Sequence, residues 1–194
     1  MTGVFTTAYA APIGYYKTIL RCDASYIEVN ENFIKQTIRN RCIIATSNGP
    51  LTLSIPLLGR RNNMSVSEIM ICYKQLWQRQ HIKSMETAYH SSPFFEFYHD
   101  DLKALYAIQP NSLLEWNNLV HQFVLKCLKH SLTFEPTTSY QKTYEHDFRN
   151  NDWKGYTQQH YHQVFESKLS FMPDLSIYDL MFNHGSMALQ YLKS

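Results

Sequence analysis

From Leu113 to Lys129 the apolar residues Trp116, Val120, Phe123, Val124, Cys127 and Leu128 recur at helical spacing, the cleanest such period in the chain. A stripe of this kind has to be covered, which commits the chain to packed layers. Two patterns upstream read the same way. Gln75 to Tyr89 carries Trp77, His81, Met85, Ala88 and Tyr89 on one face, and Ser92-Pro93 opens a helix with Phe94, Phe95, Tyr98, Leu102, Leu105 and Tyr106 as core candidates. Before them the periodicity belongs to strands. Val4 to Ala8 and Ser25 to Val29 read as strands flanking a helix that Pro12 begins, with Tyr15, Tyr16, Ile19 and Leu20 in one stripe, a compact βαβ unit. Cys42 to Thr46 and Leu51 to Ile55 are joined by Ser47-Asn48-Gly49-Pro50, a hairpin signal. Gly59 to Asn63 is a basic loop, and Val66 to Cys72 alternates as a further strand. The expectation is an α/β fold: a single mixed domain over residues 1–194, its small sheet drawn mostly from residues 1–72 and covered by helices from the middle and the C-terminus.

Between about 132 and 159 the pattern dissolves. Pro136, Asn150-Asn151 and Gly155 interrupt a polar stretch that still holds Tyr140, Tyr144, Phe148, Trp153 and Tyr156, so it reads as a lid or binding loop, or as a variable loop. Ser176-Ile177-Tyr178-Asp179 fits a capping box, Asn183-His184-Gly185 a helix end, and Ser186 to Leu192 a last helix.

A net charge of +2 lacks the strongly basic footprint of a nucleic-acid binder, and no apolar run is long enough to span a membrane. The four cysteines form no C-x-x-C pair and read as reduced, buried small side chains. With Pro12 and Gly14 interrupting the N-terminal apolar stretch, no signal peptide is expected, and the expected location is the cytoplasm. The 14 tyrosines suit stacking on sugars or bases as well as amphipathic packing.

Chemistry concentrates in Glu31 to Arg41, which sets a carboxylate, carboxamides, Lys35, Arg39 and Arg41 between two apolar runs. As a helix it would align Glu31, Lys35 and Arg39 on one face; extended, it would point Arg39 and Arg41 to one side. Either way cationic donors converge, as an anion site or as a solvated turn with surface ion pairs. His81, with Trp77 one turn before and Met85 one turn after, is a core histidine or a general base facing a pocket. His160-Tyr161-His162 would need a third ligand to hold a metal, so no metal or cofactor is expected. Any of the cysteines would need an adjacent base to act as a nucleophile. No dinucleotide, phosphate-loop, metalloprotease or nucleophile-elbow motif is present.

Several stretches in order resemble the WbqC-like protein family, in its short Bacteroidetes-type form. They are Tyr9-Ala-Ala-Pro12-Ile-Gly-Tyr15-Tyr16, Asp23, the segment from Glu31-Asn32 through Lys35-Gln36-Thr37 to Arg39-Asn40-Arg41-Cys42, and Leu51 to Pro56. Trp77-Gln-Arg-Gln-His81, Tyr89-His-Ser-Ser-Pro93-Phe94-Phe95 and Leu175 to Gly185 continue the match. The chain departs from the more widespread form at Tyr9-Ala10, where that form has Gln-Pro, and in the 132–159 stretch. The resemblance implies glycine or aminoacyl transfer to a sugar in surface-polysaccharide (O-antigen type) assembly, on a sugar, nucleotide-sugar or amino-acid donor. It implies His81 as the base and Tyr9, Tyr15, Asn32, Lys35, Arg39, Asn40, Arg41, Trp77 and Asp179 as substrate contacts. The alternative is a non-catalytic binding or assembly protein that recognises an anionic or nucleotide-sugar metabolite, since no nucleophile–base pair is legible.

Overall fold

Two short parallel strands and the helix between them form the N-terminal unit of the computed structural model, which describes residues 1–59, 63–150 and 159–194. Strand β1 (Thr2–Phe5) leads through Pro12 into α1 (Ile13–Ile19) and back to β2 (Ala24–Ile27), which pairs with β1 in register Thr2 to Ala24 through Phe5 to Ile27. The expected βαβ unit is present, with β1 shorter than expected. Helix α1 carries more than a stripe, because all seven of its residues are buried. Even Lys17 lies in the core, its ammonium over the Tyr191 ring at 4.8 Å.

Strands β3 (Arg41–Thr46) and β4 (Gly49–Ser54) form a separate antiparallel pair. Thr46 faces Gly49 across a two-residue turn, Ser47-Asn48, and Gly49 takes φ +107°, a value that glycine adopts without strain. Helices α2 (Trp77–Tyr89), α3 (Phe95–Ala107) and α4 (Leu113–Cys127) follow the three apolar periods; most of the residues that the spacing selects are buried, and α2 and α4 also bury Gln78, Asn117 and His121, which it does not select. Helix α4 is capped by Ser112, whose Oγ accepts from the Glu115 amide at 3.1 Å.

Three expectations need correction. Val66 to Cys72 is not a strand. Ser65 and Glu68 form a capping box that starts a 3-10 turn over Val66–Glu68, leaving only the bridges Leu57–Ile71 and Met70–Ser112. The 132–159 stretch holds β5 (Phe134–Pro136), which pairs parallel with β2 and completes a sheet of order β1-β2-β5. Three residues are too few to show a period. Beyond β5 the segment is docked: Phe148 stacks on Phe5 at 5.0 Å, and buried Glu28 accepts from Thr137 Oγ1 at 2.7 Å and Tyr144 OH at 2.5 Å. Arg149 packs its guanidinium over the Tyr144 ring at 4.9 Å. Arg60 and Arg61 of the basic loop, and Asn151, Trp153, Gly155 and Tyr156, lie outside the described residues.

The third correction concerns Asp179. A short helix α5 (Glu166–Leu169) precedes α6 (Ile177–His184) and α7 (Ala188–Lys193). Ser176 caps α6, but its own amide donates to Ile43 O at 2.8 Å, so the donor a capping-box carboxylate would need is taken. Asp179 turns inward instead. Gly185 ends α6 at φ +54°, and a Cβ there would lie 2.4 Å from the Phe94 ring. Gly185→Ala therefore combines backbone strain with a clash and should lower stability by more than about 1 kcal/mol. Urea unfolding should show a lower midpoint with an unchanged slope; an unchanged midpoint would refute this packing.

Candidate functional site

The polar stretch between β2 and β3 is neither helix nor strand. Turns fold it: Thr37 Oγ1 donates to Ile34 O at 2.9 Å, the Asn40 amide to Thr37 O at 3.3 Å, and Gln36 takes φ +60°. Its start and end meet inside the protein. Glu31 Oε1 accepts from Arg39 Nε at 3.0 Å, Arg39 Nη2 at 2.7 Å and Thr6 Oγ1 at 2.5 Å. Burial raises the Glu31 carboxyl pKa, and the guanidinium and the Thr6 hydroxyl oppose that shift. The Arg39 carbonyl accepts from Asn117 Nδ2 of α4 at 2.9 Å, which ties the turn to the helical layer.

The two arginines part company. Arg39 is 2% exposed, whereas Arg41, at the head of β3 opposite Ser54, lines two open clefts. One, of about 350 Å³, is also lined by Lys35, Asn40, Ser54 and Gln75; the other, of about 320 Å³, by Pro12, Thr37 and Thr52. Gln36 and Arg41 belong to both, so the clefts are two arms of one groove. Among the described residues no aspartate or glutamate lines either arm, while Arg41 lines both and Lys35 one. Within it Arg41 Nε and Asn40 Oδ1 are shielded from solvent and have no hydrogen-bond partner among the described residues. Asn40 is held in place by its Nδ2, which donates to Ile55 O at 3.1 Å. An orphaned guanidinium donor beside an orphaned amide oxygen suits a ligand with both an anionic oxygen and an amine or hydroxyl.

The other expected residues lie elsewhere. Tyr9, Tyr15, Trp77, His81 and Asp179 line neither arm; all five are core residues. Tyr9 OH bonds His81 Nδ1 at 2.8 Å and also Tyr106 OH, while Trp77 meets His81 edge-on at 5.1 Å. His81 is 5% exposed, and burial pushes its pKa down to about 4, opposed by a hydrogen bond to the Ser54 backbone. It sits behind the β4 wall that Ser54 presents to the groove. Tyr15 OH donates to Thr6 O at 2.7 Å. Asp179 accepts from Tyr89 OH at 2.7 Å and Tyr161 OH at 2.6 Å, and burial raises its pKa. Asn32 is exposed in a bridge with Ser65. His160 and His162 both face Glu166. Cys42 lines the second arm, but burial raises its thiol pKa far from the thiolate form.

Ser54 and Gln75 were not legible as site residues: Ser54 read only as a strand position within Leu51 to Pro56, and Gln75 only as the start of a helix. The motif-bearing stretches around Tyr9, Tyr89 and Leu175 pack on one another instead. Ile13 N donates to Leu175 O at 3.1 Å, Ile177 N to Ala11 O at 2.9 Å and Phe94 N to Phe182 O at 3.0 Å. Ser92 Oγ adds a bond to Asn183 Oδ1 at 3.3 Å.

A family model described as the WbqC-like protein family matches residues 7–152 of the chain, which leaves Leu175 to Gly185 outside the match. No curated protein and no solved structure matches the chain.

Two outcomes follow from this geometry. Arg39→Met leaves the Glu31 carboxylate buried without its partner and should cost about 3–5 kcal/mol in chemical denaturation. A loss below about 1 kcal/mol would mean that the pair is solvated. The His81 pKa is about 4 in the fold against 6.5 unfolded, so between those values the unfolded chain binds the extra proton. Stability contributed by neutral His81 is complete above pH 6.5 and lost as pH falls toward 4. His81→Gln should flatten the stability–pH slope in that window by up to about 1.4 kcal/mol per pH unit. Equal slopes would contradict a buried neutral imidazole.

Proposed function

The chain belongs to the WbqC-like protein family, and from that premise we propose that it is a transferase whose groove at Arg41 holds the carboxylate or phosphate of an aminoacyl donor or nucleotide-linked sugar. Surface-polysaccharide assembly is the setting this reading supplies, with glycine or another aminoacyl group passed to a sugar. The observation that carries it is the buried Arg41 Nε, which among the described residues has no partner and lies in a groove with no lining carboxylate. A guanidinium fork grips a carboxylate or phosphate bidentately, and Lys35 adds charge at the exposed rim. Asn40 Oδ1 offers an acceptor for an amine or hydroxyl beside that anion. Two arms meeting at Gln36 and Arg41 give room for donor and acceptor to lie end to end, the arrangement that proximity catalysis needs. In this reading His81 is a positioning residue that stiffens β4 behind the groove, with Tyr9 and Trp77 as its supports.

One observation favours a second reading. Among the described residues neither arm is lined by a histidine or a carboxylate, and Cys42 is held as a thiol, so a non-catalytic protein that binds the same anion is the alternative. No helix among the described residues is long and apolar enough to cross a membrane, and the four cysteines are free. We place the protein in the cytoplasm on the reading of those thiols as reduced.

Thermal unfolding with inorganic pyrophosphate and with glycine, the two simplest carriers of the expected anions, tests the groove. A ligand at a hundredfold excess over its Kd adds about 2.7 kcal/mol of stability. Arg41→Ala should weaken that ligand at least about tenfold while the ligand-free midpoint stays near wild type. Undiminished binding by Arg41→Ala would exclude the groove. Turnover of an aminoacyl donor would exclude the binding-only reading.

A further inference from the structure

Between α4 and one face of the parallel sheet lies a cavity of about 320 Å³, separate from the groove and large enough for a small ligand. Its sheet wall is apolar: Ile27 and Val29 alternate onto one face at the end of β2, and Phe134 and Pro136 do so on β5. Helix α4 supplies Leu114, Glu115, Asn118 and His121, residues of one helical face. Thr7 closes the space beyond the end of β1. The cavity thus sits at the carboxyl ends of parallel strands and against the first turns of a long helix, where open α/β sheets admit ligands.

His121 makes this more than a packing gap. It is 3% exposed, and its Nδ1 bonds Tyr16 OH at 2.7 Å. Its Nε2 is sealed from solvent and has no partner among the described residues. Burial pushes its pKa down to about 4, so the ring is neutral at pH 7 and carries one hydrogen. The Tyr16 hydroxyl has no other acceptor among the described residues, so it donates to Nδ1 and the ring hydrogen sits on Nε2. The reverse arrangement would strand both the phenol hydrogen and Nε2. A buried N–H with nothing to accept from it is destabilising, and a ligand acceptor would relieve that cost. Thr7 Oγ1 already accepts from Asn117 Nδ2 at 3.0 Å, so it too has a hydrogen to give. The buried end therefore offers neutral donors, the walls offer apolar faces, and exposed Glu115 offers an acceptor at the mouth.

We propose that this cavity binds a nucleobase, with a ring carbonyl on His121 Nε2 and Thr7 Oγ1 at the buried end and the sugar-bearing side turned toward Glu115 at the mouth. A saccharide would leave its hydroxyls against Ile27, Val29 and Phe134. A phosphate or carboxylate would meet Glu115 and a neutral imidazole, with no cation among the described lining residues. The Phe134 ring, 4.9 Å from His121, and Leu114 give the flat ring apolar neighbours in the lining.

The site stands apart from the groove reading and is tested apart from it. The full chain is titrated by calorimetry with uridine and inosine, with ribose and pyrophosphate in parallel, while nitrogen NMR follows the His121 ring. At least one nucleoside should bind saturably and shift Nε2, and ribose should not bind. Leu114→Trp narrows the cavity without touching the Tyr16–His121 bond, and Asn118→Trp blocks the exposed mouth without entering the core. Each should weaken nucleoside binding about tenfold or more. Arg41→Ala should leave nucleoside binding unchanged, even where it removes pyrophosphate binding. The proposal is overturned if neither nucleoside binds at millimolar concentration, if both tryptophan variants bind as tightly as wild type, or if Arg41→Ala abolishes nucleoside binding.

Discussion

The buried pair of Glu31 and Arg39 sets the geometry from which the rest of the site follows. Two opposite charges in a core are costly unless their hydrogen bonds are satisfied. Here one carboxylate oxygen takes both guanidinium bonds and the Thr6 hydroxyl, while the Arg39 main chain is gripped by Asn117. Such a pair specifies a conformation more than it adds stability. It folds the chain between the two sheets into turns, and that fold sends Arg39 inward and leaves Arg41 at the head of β3. With Arg39 paired to Glu31 in the core, Arg41 and Lys35 are the basic residues that line the groove among the described residues.

The same economy explains why the stretches that resemble a family do not all line a cleft. The turn after β1 bonds through main-chain groups to the start of α6, and the residue just before α3 bonds to the last turn of α6, with Asp179 and Tyr89 paired between them. These residues fix how the helices sit on the hairpin. Tyr89 OH also donates to Asp179 while accepting from the Ala45 amide of β3 at 3.1 Å, so a core tyrosine joins α6 to the wall that carries Arg41. Aromatic abundance here serves mainly buried, hydrogen-bonded packing.

The helices were legible because burial acts on one face at a time, and Trp77, Leu102 and Val120 mark those faces by spacing alone. The hairpin was legible because Ser47-Asn48-Gly49-Pro50 marks the chain reversal, although the turn itself is Ser47-Asn48 and Gly49 already belongs to β4. Strand β5 was not, since Phe134–Pro136 is shorter than any period, and the Ser65–Glu68 capping box overrode the alternation that followed it. At the site, spacing could gather Lys35, Asn40 and Arg41 but could not separate Arg39 from Arg41. The separation depends on a carboxylate eight residues upstream and an asparagine on a distant helix. His121 carried no signal at all. Its significance lies in an unpartnered ring nitrogen, which only three-dimensional placement reveals.

The central claim is that Arg41, and not Arg39, is the guanidinium that meets an anionic ligand. Arginine Nε–H resonances separate the two directly. On titration with inorganic pyrophosphate, the Arg41 Nε–H signal should move and become protected from solvent exchange, while the Arg39 Nε–H, already bonded to Glu31, stays where it is. An Arg41 signal that does not respond, or an Arg39 signal that moves in its place, would contradict the account.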